Sequence, residues 1–194
     1  RWMYANTFLR LISEDDGNNC FFIDEVGFKL SIRRTRGRSL SGTRATTTVP
    51  GLRSNDINAC AIISKHEILH YKLERTAYDT TKFSEFLNEV FEKFDDLNIK
   101  RACLIMDNAS FHKTPQIAAI IRNRGHRLLL LPPYRSFLNP IENLFSQWKE
   151  YIRQGTPQTT EQLFSLIHMA VSLITRQNCR NYYTRMIGFL SRAP

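Results

Sequence analysis

Three acids in this chain each follow or lie just beyond an apolar run. Asp24 closes "FFID" and Asp107 closes "CLIMD". Glu142 sits in Asn139-Pro140-Ile141-Glu142, after "LLLL" and two prolines, where a helix should begin. Taken singly, each has an ordinary explanation. An aspartate after a strand can cap the next turn, and a glutamate in a helix's first turn suits the helix dipole. Gathered in one place they would be costly, because like charges repel unless a cation neutralises them. Carboxylate oxygens are what hard divalent ions such as Mg²⁺ bind. A pair of such ions can serve both the attacking and the leaving oxygen of a phosphoryl transfer. The residues alone leave both readings open, local caps or a metal site for phosphoryl transfer.

What could bring the acids together is a sheet. Short apolar strands are expected at "CFFID", "INACAIISK", "EILHYKLE", "ACLIMD" and "HRLLLL", the second and third joined by a tight turn near Lys65-His66. Helices are expected at 1–12, from the spacing of Trp2, Ala5, Phe8, Leu9 and Ile12, and over "TKFSEFLNEVFEKFDDL". The second of these has Phe83, Phe86, Leu87, Val90, Phe94 and Leu97 along one face. Another is expected at "TPQIAAIIRNRG", with Thr114 as cap, Pro115 in the first turn and Gly125 at the stop. Three more should run from about Leu138 to Arg153, Thr159 to Thr175 and Arg176 to Leu190. This order predicts a mixed α/β layer fold. The strand, helix, strand run from Ala102 to Leu131 asks for parallel neighbours buried on both faces. Sites in parallel α/β sheets gather beyond the carboxyl ends of strands, where both aspartates fall.

The chain has 194 residues, 42% of them hydrophobic, enough for one sizeable core. Its formal charge of +9 favours an anionic partner, nucleic acid above all. The insert at 29–51 carries Lys29, Arg33, Arg34, Arg36, Arg38 and Arg44 and no acid. It reads as an extended loop or loose hairpin suited to phosphate contact, or as a solvated loop or part of a nuclear import signal. Arg122, Arg124 and Arg127 form a second basic cluster, and Lys149 and Arg153 follow Glu142 on its helix. Cys20, Cys60, Cys103 and Cys179 are far apart, form no metal-ligand pair and read as reduced core residues. No run approaches the about 20 apolar residues of a membrane span. The start at Arg1 rather than a methionine raises the expectation of a piece of a longer protein.

"FFIDEVGF", "LIMDNASFHK" and "LLPPYRSFLNPIENLFSQWK" resemble, in order, the three motifs of the mariner-superfamily transposase catalytic domain. These are DDE enzymes with an RNase H-like fold. The 34 residues between Asp107 and Glu142 match the branch whose third acid is glutamate, and the resemblance spans about residues 20–153. It implies a mixed central sheet flanked by helices, with a basic clamp-loop-like insert after the first strand. It implies that Asp24, Asp107 and Glu142 hold two Mg²⁺ ions, with Mn²⁺ able to substitute. The nucleophile would be water first and a DNA 3′-hydroxyl later, with excision of an element and joining elsewhere, typically at TA. The implied partners are double-stranded DNA, as transposon ends and target, and a second copy of the chain in the DNA complex. The family forms no phosphotyrosine, so Tyr71, Tyr134, Tyr182 and Tyr183 need no nucleophilic role. Lys29, Arg33, Arg34, Arg36, Arg38 and Arg44 would contact transposon-end DNA from the clamp loop.

Other residues would support the triad. Asn139 would cap the Glu142 helix. Asn108 and His112 lie just past Asp107, where His112 would orient a phosphate or a metal-bound water, or close its own turn. Glu25 would either support a ligand from behind or be a purely structural group, and would not itself be a ligand. Residues 1–194 would form one catalytic domain without the family's two N-terminal helix-turn-helix domains, located in the nucleus of a eukaryote or in the cytoplasm or nucleoid of a bacterium. The family usually has Ser-Pro where this chain has Arg135-Ser136, which implies a less rigid loop. Two alternatives remain: a recruited descendant that binds DNA or protein without cutting, and an RNase H-like nuclease or integrase of another family. "LNPIE" and the 34-residue gap argue against the latter.

Overall fold

The computed structural model describes residues 7–11, 16–30, 39–44, 56–132 and 136–190. Five strands, β1 (Cys20–Phe28), β2 (Ile57–Ile63), β3 (Ile68–Glu74), β4 (Cys103–Met106) and β5 (Arg127–Leu130), form one sheet in the order β3-β2-β1-β4-β5. The first three strands pair antiparallel, while β4 runs parallel to both β1 and β5. Five helices accompany them: α1 (Thr80–Asp96), α2 (Pro115–Asn123), α3 (Ile141–Gly155), α4 (Thr160–Ser172) and α5 (Arg176–Leu190). Residues 7–11 are helical as well. This is the mixed, helix-flanked sheet of an RNase H-like α/β fold.

Alternation along β1 explains the two cores. Phe22, Val26 and Phe28 point to one face and join Trp148, Leu144 and Ile152 of α3, Leu163 and Ile167 of α4, and Met186 of α5. Phe21 and Ile23 point to the other and meet α1 and α2 through Phe83, Phe86, Phe94 and Ile117. Trp148 anchors the first core. It is fully buried, donates its indole N–H to the Ile167 carbonyl at 3.0 Å, and packs against Phe28 and Tyr71 with ring centres 5.1 and 5.5 Å away.

Local signals set the helix starts. Asp79 accepts from the Lys82 N–H at 2.9 Å, and Thr159 accepts from the Gln162 N–H at 3.2 Å. Thr114 caps α2, Pro115 opens it, and Gly125 follows its end at φ +77°.

Several expectations need correction. β1 does not stop at Asp24 but continues to Phe28, because its second half pairs with β2 as far as Phe28↔Ile57. "HRLLLL" is not the fully buried strand expected. β5 is a sheet edge, and Leu128, Leu129 and Leu130 are only half-buried. Leu97 falls at the end of α1 and is exposed, and Phe91 takes a place in the core instead. The helix expected from Leu138 is split: 136–138 form a 3₁₀ turn, and α3 starts at Ile141. All four cysteines are buried within strands or helices.

Candidate active site

The parallel β1–β4 ladder ends with the pair Ile23↔Met106. The next residue on each strand is an aspartate, Asp24 on β1 and Asp107 just past β4. Adjacent strands lie about 4.8 Å apart. Asp24 follows Phe22 by two residues, as Asp107 follows Ile105, so both belong on the face covered by α3. The first turn of α3 brings Glu142 to the same end of the sheet.

The three acids sense one another. Burial raises Asp24 to about 7, with the negative charges of Glu25, Asp107 and Glu142 adding to the effect. Burial also raises Glu142; the Lys149 charge pulls it back and Asp107 pushes it up. Asp107 is lowered instead, chiefly by its hydrogen bond to His112. Among the described residues, no three His, Cys, Asp or Glu side chains are gathered closely enough to hold a metal ion. The three acids are electrostatic neighbours without forming a ligand cluster.

Each aspartate is held by donors. Asp24 accepts from the Glu25 N–H at 2.8 Å on Oδ1 and from the Asn139 amide at 2.9 Å on Oδ2. Asn139 is buried, and its own Oδ1 accepts the Ile141 N–H at 3.4 Å. It thus tethers the start of α3 to Asp24 as well as capping it. Pro140 already has helical dihedral angles, so the cap role falls to Asn139, one residue back. Asp107 takes the Ala109 N–H at 2.8 Å and His112 Nδ1 at 2.7 Å, both on Oδ1. Asn108 donates to the Leu131 carbonyl and ties this loop to the end of β5. Burial would lower His112, yet its bonds to Asp107 and Glu25 hold it up at about 9.

The basic residues divide. The insert leaves β1 after Phe28, four residues beyond Asp24, and returns to β2 at Ile57. Lys29 and Arg44 are exposed, and Lys29 pairs with Asp56 at 3.4 Å. Arg33, Arg34, Arg36 and Arg38 lie outside the described residues, as do Tyr134 and Arg135. The second cluster does not reach the acids. Arg127 pairs in register with Cys103, at the start of β4, whereas Asp107 follows its other end. Arg124 is engaged with Asp95 at 3.4 Å and lies over the Phe91 ring. Arg153 pairs with Glu150 at 2.8 Å.

The family model for DDE superfamily endonucleases matches residues 19–164, a stretch that holds all three acids. The chain belongs to this family. Solved structures agree on the fold of this DDE-superfamily chain. A Mos1 transposase paired-end complex with the left transposon end superposes with a TM-score of 0.82 at 13% identity, over 97% of this chain and 58% of that one. The Mos1 mariner paired-end complex with Mn gives 0.83 at 12% identity, over 97% and 59%. The catalytic domain of Mos1 mariner transposase gives 0.75 at 10% identity, over 97% and 87%. The chain thus spans somewhat under 60% of the Mos1 chains in those two paired-end complexes. No curated protein matches it in sequence.

One residue of this DDE-superfamily site escapes a reading of spacing. Glu25 sits next to Asp24 in sequence but faces the opposite side of the sheet, where its Oε1 contacts His112 Nε2 at 3.1 Å. The period-2 alternation of a strand gives the direction, but only the folded chain gives the partner.

Proposed function

We propose that this chain is the catalytic domain, spanning residues 1–194, of a cut-and-paste DNA transposase that cleaves DNA and joins a 3′-hydroxyl to target DNA, at TA. The observation that supports the reading is the register of β1 on β4, which sets Asp24 and Asp107 at adjacent strand ends, with Glu142 close enough for its charge to act on Asp24 and for that of Asp107 to act on it. Three acids that repel one another are a poor packing solution and a good donor set for cations.

The donor chemistry fits Mg²⁺, with Mn²⁺ as substitute, since all three side chains offer hard oxygen ligands. Asp24, Asp107 and Glu142 would hold two ions. Bound there, such ions supply Lewis-acid activation of an attacking oxygen and charge stabilisation of a leaving one. The chain's own work is placement. The Glu25 N–H and the Asn139 amide fix the two oxygens of Asp24. The Ala109 N–H and His112 fix one oxygen of Asp107. The first turn of α3 aims Glu142, and Lys149 tempers its charge. Placement of this kind matters because phosphoryl transfer is mainly positioning and electrostatics.

The substrate in this reading is double-stranded DNA, as transposon ends and target. Lys29, Arg33, Arg34, Arg36, Arg38 and Arg44 contact its phosphates, and two copies of the chain meet on the DNA. The +9 charge supports it, as does a fold shared with Mos1 structures described as a paired-end complex and a strand transfer complex. In a eukaryotic cell the protein would work in the nucleus, and in a bacterium in the cytoplasm or nucleoid. The test is strand transfer of a precut duplex end with Mg²⁺ or Mn²⁺, comparing the native chain with Glu142→Ala. Metal-dependent product from the native chain alone is expected. Equal product from both would reject the role of Glu142.

A further inference from the structure

A hydrogen-bonded chain of side chains reaches Asp107 from the face of the sheet opposite the acids. It begins at Cys60, the register partner of Glu25 on β2. The Cys60 thiol donates to Glu25 Oε1 at 3.5 Å, and the same oxygen lies 3.1 Å from His112 Nε2. The other ring nitrogen of His112 lies 2.7 Å from Asp107 Oδ1. The His112 side chain is completely buried, with its ring centre 4.5 Å from that of Phe83 and 4.4 Å from that of Phe111. An imidazole that only closed its own turn would need no acceptor 87 residues away in sequence. Here both nitrogens face carboxylate oxygens and aromatic rings wall the imidazole, so its position is fixed from both ends.

We propose that Glu25 is a positioning residue for the metal site, acting through His112 to hold Asp107 Oδ1 and so present Asp107 in one orientation. This rests on the reading of Asp107 as a metal ligand. Partners that orient metal ligands through a second hydrogen bond commonly govern affinity by about 10- to 100-fold when removed. Reach is the property required of Glu25. Aspartate keeps the charge but is one methylene too short, whereas glutamine keeps the length and an acceptor oxygen.

The test is Mn²⁺ titration of the 194-residue chain without DNA, followed by electron paramagnetic resonance, on the native protein and on Glu25→Asp, Glu25→Gln and Asp107→Asn. Thermal melts without metal confirm that each variant is folded. The expected result is Mn²⁺ affinity about 10- to 100-fold weaker for Glu25→Asp and within about threefold of native for Glu25→Gln. Native affinity in a folded Glu25→Asp chain would overturn the proposal. So would a folded Glu25→Gln chain that binds Mn²⁺ tenfold more weakly than native, because charge rather than reach would then be what matters. Where the Asp variant does not fold, Glu25→Ala takes its place: affinity about 10- to 100-fold weaker is expected, and native affinity in the folded chain would overturn the proposal. The Asp107→Asn chain separates the two readings. If it binds Mn²⁺ like the native chain, the metal site itself is wrong. If it loses Mn²⁺ while Glu25→Asp does not, only the role of Glu25 falls.

Discussion

Asp24→Asn should stabilise the metal-free protein at pH 8, although it removes a proposed ligand. Burial and the nearby charges of Glu25, Asp107 and Glu142 raise the Asp24 carboxyl from 3.8 to about 7. A shift of this size corresponds to about 4 kcal/mol between the protonation states. The folded pKa lies above the unfolded one, so the folded chain binds the proton more tightly. Its stability contribution is complete below pH about 4 and is lost as pH rises through about 7. Solvent on the open side of the site offsets part of the 4 kcal/mol. Both Asp24 oxygens accept hydrogen bonds, from Glu25 and Asn139, so an amide must give up one of them, at a cost of about 1 kcal/mol. A net gain of about 2 kcal/mol remains, or roughly 4–8 °C in Tm for a chain of this size. Urea denaturation in EDTA at pH 8 and at pH 4 measures it. The gain should vanish at pH 4, where both proteins carry a neutral side chain. A variant no more stable than the native chain at pH 8, or one equally favoured at both pH values, would refute the reasoning. Adding Mn²⁺ should stabilise the native chain more than the variant.

Further outcomes follow from other parts of the structure. Trp148→Phe should cost about 2–4 kcal/mol in urea denaturation, because the Ile167 carbonyl loses its donor and the ring leaves a void; a loss under about 0.5 kcal/mol would show that the core readily repacks there. Glu89 is drawn below its ordinary 4.5 by Lys72 and His70 despite opposing burial, so its stabilising effect should be present above pH about 4.5 and fade as pH falls through its lowered folded value. With its side chain 38% exposed, Glu89→Gln should cost under about 1 kcal/mol at pH 7, and that cost should shrink as pH falls below about 4.5. If Arg44 contacts a DNA phosphate, Arg44→Ala should lower the slope of log affinity against log salt by about 0.9; an unchanged slope in duplex binding would remove it from the interface.

Much of the fold was legible because local rules were strong. Thr114-Pro115 and Gly125 bracket α2, and the apolar stripe of α1 differs from expectation only in exchanging Leu97 for Phe91. The acids stood out as a set, because three of them follow apolar runs in one chain, although each alone is ordinary. Strand ends were less legible. "FFID" read as a stop at its first charge, but β1 continues because β2 supplies hydrogen-bond partners as far as Phe28. "LLLL" read as buried because four leucines are apolar, but apolarity does not say whether a strand has one neighbour or two. Its position beyond β4 makes it an edge.

The sequence by itself determined the three acids, their order and their spacing, the basic insert, and the helices and strands that carry them, because these depend on residue type and short-range periodicity. Tertiary structure decided which acids become neighbours, since only the parallel register of β1 on β4 sets Asp24 beside Asp107. It also put Arg127 at the end of β5 away from the acids. And it joined Glu25 to Asp107 through His112, an arrangement that requires a strand, a distant loop and an aromatic wall to meet in one place.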